Sequence, residues 1–128
     1  MTMLKIYFTS DSRYKIDKKF VKKYLASCWQ ARNLPSGALS IAFVGSRKAR
    51  VLAKQYLNDD VEHPILTFPY LSHVRAFPQE KEALQGEIVI CYPQVSLYAA
   101  DKNQEINKVI SHFIDHSLTI MASQRQKG

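Results

Sequence analysis

Apolar and polar positions in Leu4-Lys5-Ile6-Tyr7-Phe8-Thr9 read as a short strand, and Ser10-Asp11-Ser12 supplies the turn and cap chemistry that ends it. From Asp17 the apolar residues Phe20, Val21, Tyr24, Leu25 and Cys28 recur at helical spacing until Pro35-Ser36-Gly37 stops the pattern. Ala38 to Val44 is an apolar, β-branched run, a second strand, and Gly45-Ser46 opens a helix carrying Ala49, Leu52, Ala53 and Tyr56. Pro64-Ile65-Leu66-Thr67-Phe68-Pro69 is a strand bracketed by prolines, which confines it to a short or edge position. A loop follows through Gln85. Gly86-Glu87-Ile88-Val89-Ile90-Cys91 is the clearest strand, and Pro93 stands where a helix over Val95 to Ala100 begins its first turn. Asp101 or Asn103 caps a long helix over about Gln104 to Met121, leaving Ser123 to Gly128 as a polar basic tail. Strands and helices intermix without strict alternation. The expected architecture is α+β, a mixed four-stranded sheet with about four helices in a single domain over 1–128.

At 128 residues the chain has room for one core, and 46% apolar content argues for a packed globule. Two cysteines, Cys28 and Cys91, are too few for a disulfide framework, which points to a reducing cytoplasm. No stretch approaches the roughly 18 apolar residues of a membrane span, and Met-Thr-Met-Leu-Lys lacks the apolar core of a signal peptide.

The net charge of +7 is unevenly spread. Residues 1–50 hold 11 basic and two acidic residues, about +9, and the remainder is mildly acidic at about −2. Lys15, Lys18, Lys19, Lys22 and Lys23 lie three, four or seven apart and form one broad cationic face on a helix. Arg47, Lys48 and Arg50 stand near the start of the next helix. Such faces neutralise several phosphates and release counterions, giving salt-sensitive affinity for nucleic acid; without further signals a lysine helix is equally well explained as a solvated face. Tyr14, Tyr24 and Trp29 are candidates for stacking on bases, with Tyr24 and Trp29 better placed as core.

His112-Phe113-Ile114-Asp115-His116 places two imidazoles one helical turn apart, a spacing that suits zinc. Ile106, Val109, Ile110, Phe113, Ser117, Leu118 and Met121 form the buried face of that helix, with Glu105, His112 and His116 along its edge and Asp115 pointing to solvent. A catalytic zinc needs three protein ligands and an open position, so the pair by itself is one donor short. His63 and His73 are the other histidines available as a third.

In order and spacing, residues 38 to 122 resemble the YbeY family of rRNA maturation endoribonucleases, small zinc-dependent hydrolases. Ser40-Ile41-Ala42-Phe43-Val44 with its helix, Pro64-Ile65-Leu66-Thr67-Phe68-Pro69, Gly86-Glu87-Ile88-Val89-Ile90 and His112-Phe113-Ile114-Asp115-His116 carry the likeness. The resemblance implies an α+β fold with a cleft between sheet and histidine helix beside a basic channel. It implies zinc held by His112 and His116, and a role on single-stranded rRNA precursors or the small ribosomal subunit. Neither DNA nor membrane is an expected partner. The family's third histidine falls at Ala122, its Gly-Tyr-Asp at Thr119-Ile120-Met121, its glycine after the first histidine at Phe113, its arginine and asparagine at Leu57 and Ala53, and its strand aspartate at Pro64. Two readings follow: a divergent metal-dependent endoribonuclease, whose imidazoles also have the chemistry of a metal-free general acid and base, or a catalytically reduced adaptor that keeps the RNA- or ribosome-binding surface.

Overall fold

The computed structural model describes residues 4–59, 61–69 and 84–127. Eight elements follow one another: β1 Leu4–Ser10, α1 Lys18–Ala31, β2 Gly37–Val44, α2 Ser46–Leu57, β3 Ile65–Pro69, β4 Leu84–Cys91, α3 Tyr92–Asp101 and α4 Ile106–Lys127. The sheet order is β1-β2-β4-β3, with β1, β2 and β4 parallel and β3 antiparallel to β4 at the edge. The proline-bracketed strand therefore takes the edge place expected for it.

Sequence chemistry sets the element ends. Asp17 caps α1, its Oδ1 accepting from the Phe20 amide at 3.0 Å and satisfying one of the helix's free donors. Asn33, Asn58 and Asn103, each just beyond a helix, adopt φ of 54°, 52° and 51°, the left-handed conformation that asparagine tolerates best among residues with a side chain. Pro93 sits in the first turn of α3, where its missing amide hydrogen costs nothing.

The period-2 alternation of β2 and β4 divides their side chains between two layers. Leu39, Ile41, Phe43, Ile88 and Ile90 point to one side and pack with Val21, Leu25 and Trp29 of α1, Val95 and Ala99 of α3, and Val109, Ile110, Ile114, Leu118 and Met121 of α4. Val44, Val89, Cys91 and Leu66 point to the other, where they meet Ala49 and Ala53 of α2. Each fully buried leucine or isoleucine contributes roughly 1.5–3 kcal/mol, so the first layer holds most of the stability. α4 comes close to the sheet at Gly86: a Cβ there would lie 2.6 Å from Met121 Cε and 3.0 Å from the Phe68 carbonyl oxygen. Ser117, fully buried, shares a 2.7 Å hydrogen bond with Thr67 on β3.

Two boundaries differ from the sequence reading. α4 starts at Ile106 and runs to Lys127, so the basic residues placed in a tail continue the helix. Its buried arc is also wider, because α1 packs beside it and buries Ile114 completely.

Candidate nucleic-acid interface and histidine helix

On α1, Val21, Leu25 and Trp29 turn into the core, while Lys18, Lys19 and Lys23 are exposed and Lys22 half-buried on the flank beside them. The Lys18 ammonium lies 5.6 Å from the centre of the Phe8 ring. Lys15 is exposed but precedes the Asp17 cap, so it belongs to the loop entering α1 and not to the helical face. Trp29 is core, donating its indole N–H to the Pro35 carbonyl at 2.9 Å.

Arg47, Lys48 and Arg50 are all exposed in the first turns of α2. Beside them a cleft of about 1020 Å³ opens where the ends of β1 and β2 meet α2, bordered by Arg13, Tyr14, Arg47, Lys48, Val51 and Leu52. Arg13 forks onto Asp11, with Nε at 3.0 Å from Oδ1 and Nη2 at 2.8 Å from Oδ2. That guanidinium holds the Asp11 carboxyl below its ordinary value. Tyr14 stacks on Tyr92 with ring centres 4.6 Å apart. Gly45 admits it: a Cβ there would stand 2.9 Å from the Tyr14 hydroxyl.

Around the corner of α2 a smaller groove of about 490 Å³ is bordered by Arg47, Arg50, Val51, Lys54 and Glu62. The hydrogen bond from Ser46, then those from Gln94 and Cys91, hold the Glu62 carboxyl below its ordinary value. Cys91 donates to Glu62 Oε1 at 3.3 Å, and burial pushes its thiol up to about 11. Glu62 thus tethers the segment before β3 to the starts of α2 and α3.

His112 and His116 are both exposed on α4. Among the described residues no group of three His, Cys, Asp or Glu side chains is placed to hold a metal. His63 pairs with Asp59, Nε2 to Oδ2 at 2.9 Å, and His73 lies outside the described residues. Ala122, where the resemblance implies a third histidine, is half-buried against the core. The donors described here do not fit a three-ligand zinc.

Asp115 is not the solvent-facing residue expected from helical periodicity. It is half-buried between α4 and α1: the Tyr24 hydroxyl donates to Oδ2 at 2.6 Å, and the Cys28 thiol and Arg32 Nη2 reach Oδ1 at 3.3 and 3.4 Å. Burial pushes its carboxyl up, but the contacts from Tyr24, Cys28 and Arg32 outweigh this and leave it below its ordinary value. The same hydrogen bond, with burial, raises the Tyr24 phenol. Burial likewise raises Cys28. Tyr24 and Cys28 on one flank of α1 and Arg32, its C-cap, recur every fourth residue. That spacing was available in the sequence, but the identity of the facing helix was not.

The family profile described as Endoribonuclease YbeY matches residues 6–120. Proteins named Endoribonuclease YbeY from Cupriavidus necator, Aromatoleum aromaticum and Polynucleobacter asymbioticus are 30%, 29% and 27% identical over 63%, 62% and 77% of this chain. The chain spans 38%, 47% and 60% of their lengths. The solution structure of TM1509 from Thermotoga maritima superposes with a TM-score of 0.60 at 18% identity, covering 91% of this chain and 71% of that one, which establishes a shared fold.

Proposed function

Since the chain belongs to the Endoribonuclease YbeY family, we propose that it acts in ribosome biogenesis in the cytoplasm by engaging single-stranded segments of rRNA precursors. The observation that supports this is the placement of the cations. Lys18, Lys19 and Lys23 stand exposed and Lys22 half-buried on one flank of α1, and Arg47, Lys48 and Arg50 are exposed at the start of α2. Phosphates meet such surfaces without a desolvation cost to the core, and binding releases counterions. In the hydrolytic form of this reading, His112 and His116 are the residues at the scissile phosphate and the donors to any zinc that the protein holds. Their own part is to present two imidazoles one turn apart on a helix fixed at its far end by Met121 against Gly86.

A specific observation favours the second form, an RNA- or ribosome-binding adaptor without hydrolysis: Ala122 occupies the third histidine's place, and no three-donor group exists among the described residues. One experiment separates the two. The chain and its His112→Ala, His116→Ala double variant are assayed for binding and cleavage of single-stranded rRNA precursor fragments, with metal content measured on the same samples. Cleavage lost in the variant supports the hydrolase; binding retained with no cleavage by either supports the adaptor. Absence of RNA binding overturns the shared reading.

A further inference from the structure

We infer that the cleft between the β1–α1 loop and α2 is a subsite for unpaired nucleotides of an RNA strand, remote in sequence and in lining residues from the histidine helix. This rests on the RNA reading above and adds to it a place and a binding mode.

Three features of the cleft carry the inference. First, its rim is cationic: Arg13, Arg47 and Lys48 stand against one carboxylate, Asp11, which Arg13 already engages. Arg47 and Lys48 make no ion pair among the described residues. Second, part of its lining is apolar surface left exposed at Val51, while Leu52 packs against the second-layer cluster. Val51 is 55% exposed, one turn from Arg47 on the same side of α2, with Leu52 half-buried beside it. α2 seats itself on the sheet through Ala49 and Ala53, 1% and 0% exposed, so Val51 contributes nothing to that seat. Third, the cleft continues: Arg47 and Val51 also border the neighbouring groove, whose lining adds the cations Arg50 and Lys54 and one carboxylate, Glu62.

A ligand matched to this surface is polyanionic, flat and apolar in its repeating side groups, and extended across more than one site. A mononucleotide satisfies the first two conditions, and a duplex the first and third. An unpaired strand satisfies all three, its bases lying on Val51 and Leu52 and its phosphates on Arg47 and Lys48. The volume, about 1020 Å³, is at the upper end of ordinary small-ligand pockets, roughly 300–1,000 Å³, and accommodates a short segment and not only one base.

The test is an amide chemical-shift titration of the full chain with a single-stranded tetranucleotide RNA, the matching nucleoside 5′-monophosphate and a duplex RNA of the same composition. The expected result is shifts over residues 9–14 and 45–52, tightest for the single strand. Affinity should fall roughly tenfold, the equivalent of about 1.4 kcal/mol, in Arg47→Ala, Lys48→Ala and separately in Val51→Glu. All three side chains are exposed, so the variants keep the fold, checked by their unperturbed core amides. Shifts confined to residues 18–23, with the cleft variants binding normally, overturn the subsite and leave the RNA reading standing. Equal affinity for the monophosphate or the duplex overturns the assignment to an unpaired strand. No binding by any RNA removes the RNA reading itself, and the subsite with it.

Discussion

The hydroxyl of Tyr24 donates to Asp115 across 2.6 Å, joining the helix that carries the lysines to the helix that carries the histidines. The carboxylate is shared with Cys28 and Arg32, so two side chains of α1 and its C-cap converge on one residue of α4. Replacing Tyr24 by Phe leaves the ring in place and removes one donor to a charged acceptor. The expected loss is about 1 kcal/mol, reduced from the fully buried case because the Asp115 side chain is 41% exposed. Urea denaturation measures it, and Asp115→Ala, which strands the Tyr24 hydroxyl and Arg32 together, should cost more.

The same pair bounds stability at both ends of the pH scale. The folded Asp115 carboxyl titrates below its ordinary 3.8, so its contribution is complete above that value and is lost as pH falls through the lower, folded one. The Tyr24 phenol is raised above its ordinary 10.0, so its contribution is complete below that value and declines as pH rises beyond it. Melting temperature against pH should show both shoulders in the parent chain. Asp115→Asn should flatten both; an unchanged profile would remove the pair from the account.

Binding of single-stranded RNA should weaken steeply with salt. If Lys18, Lys19, Lys22 and Lys23 each neutralise one phosphate, they contribute about −3 to the slope of log affinity against log salt, at roughly −0.7 per contact for single strands. Substituting all four by Gln should flatten the slope by about that amount, as fluorescence anisotropy at several salt concentrations would show.

Filling the third-histidine place tests whether the histidine helix can hold a metal. In the continuous helix Ile106–Lys127, position 122 lies about 9 Å along the axis from His116 and roughly 120° around it, on the half-buried side. Ala122→His should therefore leave zinc affinity, measured by isothermal titration, within about twofold of the parent; a gain of about tenfold would mean that the helix unwinds beyond His116 and brings three imidazoles onto one ion.

Gly86→Ala should destabilise by about 1–3 kcal/mol, since the new methyl group meets Met121 Cε at 2.6 Å. Met121→Ala should also destabilise, by removing a side chain that is 2% exposed. Together the two should cost less than their sum, because the smaller residue vacates the space the methyl needs. The Phe68 carbonyl, 3.0 Å away on the backbone, keeps the rescue incomplete.

The architecture was legible because its signals are local. Period-2 runs in β1, β2 and β4, the prolines around β3, and Asp17 and Pro93 at helix starts each act within a few residues of themselves. The basic half was legible for the same reason, apart from Lys15, where the cap at Asp17 ends the helix before the periodicity does. Asp115 was misplaced because helical phase locates a residue relative to its own helix and says nothing about a second helix alongside. Arg13 and Asp11 escaped notice as a pair, since their fork closes across a turn of no regular period. The third ligand was a gap in the sequence, and among the described residues it stays one.

Among the described helices, α2 alone packs on the second side of the sheet, over a cluster much smaller than the opposite core. Its amides should therefore exchange with deuterium earlier than those of α1 and α4, through openings that leave the main core intact. Arg47, Lys48 and Arg50 ride on this lightly held helix. On the RNA reading, a strand that binds only the seated helix would draw the equilibrium toward it, and amide exchange in α2 would slow as the bound fraction rises.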